Sequence, residues 1–326
     1  MKAKEVWVIV PFSRPQHLKN VLDNFSRQDF HNKRLIIVEN GDAVGACKTH
    51  GIEPDLLITS DNHQAAAKNA GIQAIKDQGG GFWATYDDDD YYGPHYLSEM
   101  VESSDKGDVI GKGDLFVRLA NGHLFSFQGI ACEEYSNFVH GPTICSWAEN
   151  HATFPNTGQI GEDCAMVRKM IEEGGSVWAT SQRNFVFQRY PSADHHTWKI
   201  SDNTLIESLM CGMGLDPSVK DYGENVSYDF VNGLIAEPEH ELVRASFNDE
   251  EKLAEIDKTG KSEEFIKGIL MQEGFLKEGE SPDKLRSANC TLLISNTFKG
   301  DTKIEQVSGD DAYTIEEGCP AGRGEP

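Results

Sequence analysis

The stretch from Phe82 to Pro94, FWATYDDDDYYGP, constrains this chain more than any other. Its apolar, aromatic run, Phe82 to Tyr86, reads as a short buried strand. The strand delivers four consecutive carboxylates, Asp87, Asp88, Asp89 and Asp90, to its C-terminal end. Two tyrosines and a Gly-Pro stop follow, with Pro94 suited to the first position of a helix. Neighbouring carboxylates repel one another, and folding them beside aromatic rings costs free energy unless a cation neutralises them. Hard oxygen ligands of this kind suit Mg2+ or Mn2+, which keep some of their waters and bind substrate phosphates. A solvated acidic turn is the plainer alternative, but the run is embedded in apolar sequence rather than in a polar tail. A metal–phosphate site is therefore expected here.

The flanking sequence says what carries that turn. Val6 to Val10 is a continuous apolar run, the pattern of a strand buried on both faces, and Pro11 is expected to end it. Leu18, Val21, Leu22 and Phe25 recur at helical spacing from Pro15 to about Arg27. Leu35 to Val38 and Leu56 to Ile58 give two more strands. Asp61 or Asn62 is the expected N-cap of an Ala-rich helix from His63 to Asp77. Strands alternating with helices imply a parallel sheet with right-handed crossovers, and such sheets bind ligands at the carboxyl ends of their strands. Pro11 to Arg14, Glu39 to Gly41 and Asp87 to Asp90 all fall at those ends.

Further along, Asp114 to Leu119 and Leu124 to Gln128 read as a hairpin turning at Asn121-Gly122. A helix is expected from Gly161-Glu162-Asp163 to Glu173, stopped by Gly174-Gly175, with strands at Val177–Thr180 and Phe185–Gln188. The Asp194-His195-His196-Thr197-Trp198 segment follows. Beyond Ser201, helices are expected near Thr204–Met210 and Asp249–Gln272, and a last hairpin pairs Leu292–Ser295 with Lys303–Val307. The chain is divided at residue 200, with 201–326 as an acidic accessory region whose end is disordered.

Charge narrows the partners. Of the net charge of −23, residues 1–200 contribute −8 and residues 201–326 contribute −15. Such a surface disfavours non-specific contact with nucleic acid or anionic lipid. No apolar stretch approaches a membrane span, and MKAKEVWVIVPF is too short before Pro11 for a signal peptide. Seven scattered cysteines with no C-x-x-C suggest reduced thiols in a cytoplasmic protein. Cys47 and His50 alone are too few to hold a transition metal.

The order of these features resembles the inverting glycosyltransferases of the GT-A fold, particularly the family 2 group, over roughly residues 5–200. The resemblance rests on VIVPFSRP, LIIVENGD, AAAKNAGI, YDDDDYYGPHYL and GEDCAMVRKMIEEGG in that order. It implies an α/β fold, with a Rossmann-like, mostly parallel sheet flanked by helices and an α+β C-terminal accessory region. Two departures stand out: Glu39-Asn40 replaces the usual paired aspartates, and Lys68 stands where Arg is usual.

The resemblance also implies roles. Pro11, Ser13, Arg14, Lys68 and Asn69 would line the donor site, and Glu39 or Asn40 would contact the nucleotide's base or ribose. Asp87 or Asp88 would approach the ribose and metal, and Asp89 would ligate Mn2+ or Mg2+ on the diphosphate of a UDP-sugar. Asp163, next to Glu162, looks like the general base, although an acidic pair in a helix's first turn also suits the helix dipole. His195 or His196 would complete the metal site, or else form a surface pair beside Trp198. Trp147 either stacks on a sugar or belongs to the core.

The expected partners are a nucleotide sugar and a soluble or carrier-presented acceptor, a glycan or peptide. A nucleic-acid acceptor, such as a modified base of viral DNA, is disfavoured by charge. It would need a basic groove from Lys112, Arg168, Lys169, Arg183, Arg189 and Lys199. Two other functions compete. A sugar nucleotidyltransferase needs a glycine-rich loop that PFSRPQHL lacks, and a cation-dependent carbohydrate-binding module would leave Asp163 without a role.

Overall fold

The structure, a computed structural model, describes residues 2–60, 63–150, 152–156, 161–191, 218–243, 291–296, 301–308 and 314–318. Two compact units divide the chain: 1–199 with 220–241, and 200–219 with 242–326. Residues 220–241 thus group with the first unit, beyond the division expected at residue 200.

The first unit opens with β1 (Val6–Phe12), α1 (Leu18–Ser26), β2 (Lys33–Glu39), α2 (Ala46–His50), β3 (Leu56–Thr59), α3 (Gln64–Asp77) and β4 (Phe82–Thr85). Strands β3, β2, β1 and β4 lie side by side and parallel. All seven residues of β1 are buried, as its unbroken apolar run requires. The strand runs past the expected stop at Pro11. Ile9 accepts the N–H of Tyr86 at 2.9 Å on the β4 side, and β4 ends there. Pro11, two residues on, faces the same side, so its missing N–H leaves no ladder bond unmade. Helix α3 packs on β1 and β2 through Ala65, Ala67, Ile72 and Ile75. A Cβ at Gly71 would come within 2.5 Å of the Ile9 side chain, so only glycine lets the helix lie this close. Burying each large aliphatic side chain here contributes about 1.5–3 kcal/mol.

The sheet continues through β6 (Val109–Lys112), β9 (Glu134–Tyr135), β10 (Cys145–Trp147) and β11 (Val177–Thr180), in the order β3-β2-β1-β4-β10-β6-β11-β9. Strand β10 runs antiparallel to β4 and β6, and β6 is parallel to β11. A second sheet contains β5 (Tyr91–Tyr92), β7 (Leu115–Arg118), β8 (Leu124–Gln128), β12 (Phe185–Gln188), β13 (Ser218–Asp221) and β14 (Glu241–Val243), in the order β14-β13-β8-β7-β12-β5. The β7–β8 hairpin turns at Gly122, whose φ of +93° suits glycine. Helix α4 (Tyr96–Glu102) starts two residues later than expected, because Pro94 and His95 form a turn after β5. Helix α5 (Glu162–Glu172) begins and ends where the sequence places it.

The second unit contains an antiparallel sheet of β15 (Thr291–Asn296), β16 (Asp301–Ser308) and β17 (Thr314–Gly318). Its first pair is the expected hairpin, and the third strand was not foreseen. The expected helices at 204–210 and 249–272 lie outside the described residues. The N-cap of α3 is His63, whose extended backbone precedes Gln64, rather than the expected Asp61 or Asn62.

Candidate active site

The four carboxylates occupy the turn between β4 and β5, at the C-terminal end of the parallel strands. An aromatic box supports it. Tyr86 and Tyr92 stack at 3.7 Å, and Tyr96 and Phe185 close the sides. The Asp87 N–H donates to the Tyr92 hydroxyl at 2.8 Å, and that hydroxyl donates to the Pro142 carbonyl at 2.8 Å. Helix α1 supplies two amides. Asn20 Nδ2 donates to the carbonyls of Asp88 (2.8 Å) and Asp90 (2.9 Å), and Asn24 Nδ2 to that of Asp90 (2.8 Å). From the end of β12, the Gln188 N–H donates to Asp90 Oδ1 at 2.8 Å, and two residues past the strand the Tyr190 hydroxyl donates to the Asp89 carbonyl at 3.1 Å.

Arg14 spans the next two carboxylates, donating from Nη1 to Asp89 Oδ2 at 2.8 Å and from Nη2 to Asp88 Oδ1. Its neighbour Ser13 is half-buried, and Pro11 lies buried in β1 opposite Val38. Lys68, on α3, is buried and donates to Glu162 Oε1 at 2.9 Å, with its ammonium 4.9 Å from the centre of the Phe154 ring. Burial pulls the Lys68 pKa down, but Asp87, Glu162 and Asp163 outweigh it and hold the pKa above its ordinary value. Lys68 therefore sits where the acidic turn and the start of α5 meet. Asn69 Nδ2 and Oδ1 bond the carbonyl and N–H of Phe154 at 2.8 and 2.9 Å. Glu39 is likewise engaged, accepting the N–H groups of Gly45 and Cys47 at 2.7 Å each. Asn40 is buried and starts the Gly41–Ala43 turn.

Asp163 lies against a second turn, Gly141–Thr143. A Cβ at Gly141 would overlap the Asp163 carboxylate at 1.6 Å, so glycine makes the approach possible. Next to it, burial pushes the His140 pKa down to about 4 against the pull of Asp163, so the imidazole is neutral near pH 7. Among the described residues, the carboxylates Asp87 to Asp90, Glu162 and Asp163 are thus flanked by the cations Arg14 and Lys68. Like charges 4 Å apart repel by about 4 kcal/mol at an effective dielectric constant near 20. Burial and mutual repulsion push Asp87 up to about 6 and Asp88 up to about 7, and hold Asp90 well above the usual carboxylate range. Asp87 Oδ1, Asp88 Oδ2 and Asp90 Oδ2 are buried and have no hydrogen-bond partner among the described residues.

Those orphaned oxygens fit a hard divalent cation. Asp87, Asp89 and Asp90 offer ligand atoms that all lie within 4.8 Å of one another, and they are the one such group among the described residues. Asp90 joins the expected pair of Asp87 and Asp89, while His195 and His196 lie outside the described residues. Cys47 and His50 form no such group; Cys47 is buried and its thiol is pushed up to about 12 by burial and by Glu39. Trp147 packs edge-on to Phe82 and donates to the Ser104 carbonyl at 2.9 Å, so it serves the core. Sequence reasoning missed Asn20, Asn24, Gln188 and Tyr190. The two asparagines carried a signal, since amide side chains four apart in mid-helix are poor helix formers and need another reason to be there.

A parallel sheet ending in a cation-sized carboxylate turn, with an acidic helix start beside it, is the GT-A arrangement. Residues 7–173, about half of the sequence, match the profile of glycosyl transferase family 2, and the chain belongs to that family. No curated protein matches it. Among solved structures, it is similar to residues 1–349 of TarS from S. aureus, in complex with UDP-GlcNAc (17% identity, 63% of this chain and 64% of that one, TM-score 0.43). The mannosyltransferase PcManGT from Pyrobaculum calidifontis, in complex with GDP-Man and Mn2+, gives 17% identity, 64% and 65% coverage, and a TM-score of 0.41. Glucosyl-3-phosphoglycerate synthase from Mycobacterium tuberculosis gives 11%, 63% and 78%, and 0.41. The chain spans less than two thirds of the length of the first two.

Proposed function

We propose that the chain transfers a sugar from a nucleotide-sugar donor, UDP-linked, to an acceptor hydroxyl, with inversion and with a divalent cation. The observation that carries this reading is the trio Asp87, Asp89 and Asp90, with the unpartnered buried oxygens of Asp87 and Asp90, beside Glu162-Asp163. Asp87 and Asp89 would hold Mn2+ or Mg2+, whose chemistry is to neutralise the charge that builds on the leaving diphosphate. Arg14 fixes Asp88 and Asp89 in place for that task. Asp163 accepts the proton of the acceptor hydroxyl as its oxygen bonds to the anomeric carbon. The bond from that carbon to the diphosphate oxygen breaks on the opposite face, and the electron pair leaves with the nucleoside diphosphate. Glu162, paired to Lys68, anchors the start of α5 so that Asp163 holds its position.

The acceptor is best read as a soluble or carrier-presented glycan or peptide. Of the candidate groove cations, Lys112 is fully buried and donates to Glu99 and the Ser181 carbonyl at 2.8 Å each, and Arg189 is buried. That leaves a poor surface for a nucleic-acid backbone. Among the described residues no helix is long and apolar enough to cross a membrane, and Cys47, Cys132, Cys145 and Cys164 are free, which suits a cytoplasmic setting. The second unit is assigned to acceptor recognition. A cut after Val243 tests this, and should lower transfer to acceptor more than donor hydrolysis.

The reading as a whole is tested with a panel of UDP- and GDP-sugars, followed by nucleoside diphosphate release and thermal shift with Mn2+. Release from a UDP-sugar that stops in excess chelator is expected. Full release in chelator would overturn the cation, and release from GDP-sugars alone would overturn UDP.

A further inference from the structure

The segment that returns to the first unit after residue 219 reaches the back of the acidic turn. Tyr228, in a one-turn helix Tyr228–Val231, stacks on Tyr91 with ring centres 3.9 Å apart and planes within 7°. Arg27 lies over the other face of the pair, 4.8 Å from the Tyr91 centre, and Arg118 lies 4.8 Å from the Tyr228 centre. The Tyr228 hydroxyl donates to Gln188 Oε1 at 2.9 Å, and Gln188 is the residue whose N–H holds Asp90. Asn232 Nδ2 donates to the Tyr91 hydroxyl at 2.9 Å. Arg27 also bonds Asn24, the amide that holds the Asp90 carbonyl.

The backbone of the segment is tied in as well. Asn184 donates its N–H to the Val231 carbonyl at 3.1 Å, and Arg118 and Arg183 donate to the carbonyls of Val226 (2.6 Å) and Phe230 (3.1 Å). Phe230 and Val231 are buried with Phe116, Leu124, Val186 and Tyr222 in a small core of their own. The need for such a brace is local. Tyr91 directly follows Asp90, and β5 is two residues long and pairs, among the described strands, with β12 alone, so the placement of the turn depends on the side chains packed against it.

We propose that Tyr228 and Asn232 are positioning residues, acting through Tyr91 and Gln188 to set the Asp87–Asp90 turn for cation-dependent donor binding. This rests on the reading of that turn as the donor's metal site. It makes the site depend on residues about 140 positions downstream of the carboxylates, supplied from within 201–326, the region expected to be accessory.

Full-length Tyr228→Leu, Tyr228→Phe and Asn232→Ala variants test it, with Tyr222→Leu as a control from the same small core. The Tyr222 ring meets Phe116, Phe230 and His240 rather than the turn. Two readouts are taken besides melting temperature: Mn2+ affinity in the presence of UDP, by calorimetry, and amide exchange over residues 87–92. Tyr228→Leu should weaken Mn2+ by roughly tenfold and speed exchange at 87–92, while Tyr228→Phe, which keeps the stack, should recover most of the affinity. Asn232→Ala spares the core and should give a smaller loss of the same kind, which keeps the test open if Tyr228→Leu fails to fold. Lower melting temperatures for Tyr228→Leu and Tyr222→Leu, with Mn2+ affinity and 87–92 exchange unchanged, would overturn the proposal. A wild-type chain that binds no Mn2+ with UDP would overturn the donor reading instead. The brace would then stand or fall on exchange at 87–92 in Tyr228→Leu.

Discussion

Asp88, Asp89 and Asp90 each have a carbonyl or carboxylate oxygen tied to another part of the fold, through Asn20, Asn24, Arg14, Gln188 and Tyr190. Asp163, on the other side of Lys68, accepts among the described residues only the N–H of its own neighbour Cys164, at 2.9 Å. The contrast suits two different tasks. A diphosphate presents the same few oxygen atoms to its cation in every cycle, so rigid placement of the carboxylates that hold the cation costs nothing in adaptability. As the proposed base, Asp163 would have to meet an acceptor hydroxyl, and its single bond among the described residues leaves oxygen capacity for that. On the proposed reading, the donor end is held before anything binds, whereas the acceptor end has few ties of its own.

Two substitutions break the contrast most sharply. Asp89→Ala should reduce transfer by about 10⁴-fold, the several kcal/mol that a bound cation supplies, and should abolish Mn2+-dependent UDP binding. Its melting temperature should stay near that of the wild type, because Arg14 keeps Asp88 and the lost ion pair is offset by relief of repulsion among the neighbouring carboxylates; unaltered turnover would remove Asp89 from the metal site. Asp163→Asn should reduce transfer by about 10³-fold while UDP-sugar affinity stays the same, since a base acts only as the bond is made. Loss of donor binding in step with turnover would place Asp163 on the donor side after all.

The same contrast explains what could be read from the chain alone. The sheet and the acidic turn are local in sequence: VWVIV and LIIV announce buried strands, and FWATYDDDD carries its ligands on its own strand end. The GEDCAMVRKM helix was legible from its apolar spacing and its glycines. Pairings between distant residues were not. Lys68 and Glu162 are 94 positions apart, and nothing in AAAKNAGI says that its lysine meets the acidic helix. The resemblance alone pointed Glu39 or Asn40 to a base or ribose, and no local pattern shows that the N–H groups of Gly45 and Cys47 turn back onto Glu39. The brace from Tyr228 was equally hidden, since stacking on Tyr91 depends on where the chain returns, not on its composition.

Lys68 joins the two ends, and its removal sharpens their coupling. Lys68→Met should cost about 3–5 kcal/mol of stability, because it leaves the Glu162 carboxylate buried and unpaired. Lys68→Met combined with Glu162→Gln should recover most of that loss, since no uncompensated charge remains. Denaturant unfolding of the two single variants and the double variant measures the coupling. Additive losses would show that the two side chains act independently, and the link between the donor and acceptor ends would fall with them.

The smallest effect, a few degrees of melting temperature, is a competition between protons and the cation at the donor end. Burial, only partly offset by Arg14, lifts Asp88 to about 7, and burial offset by Lys68 lifts Asp87 to about 6, both from an ordinary value of 3.8. Without metal, the folded chain therefore holds protons that the unfolded chain releases near pH 4. Where the folded state binds more protons, stability falls as pH rises, so these two groups destabilise the metal-free fold progressively between about pH 4 and 7. A divalent cation needs the ionised carboxylates and reverses the sign, because it replaces the protons and removes the repulsion. The melting-temperature rise on adding Mn2+ should accordingly be small at pH 5 and grow through pH 6 to 7. In Asp163→Asn the same growth should persist, because that carboxylate belongs to the open end. A Mn2+ shift of equal size at pH 5 and pH 8 would mean that the turn is ionised throughout and that the cation does not displace its protons.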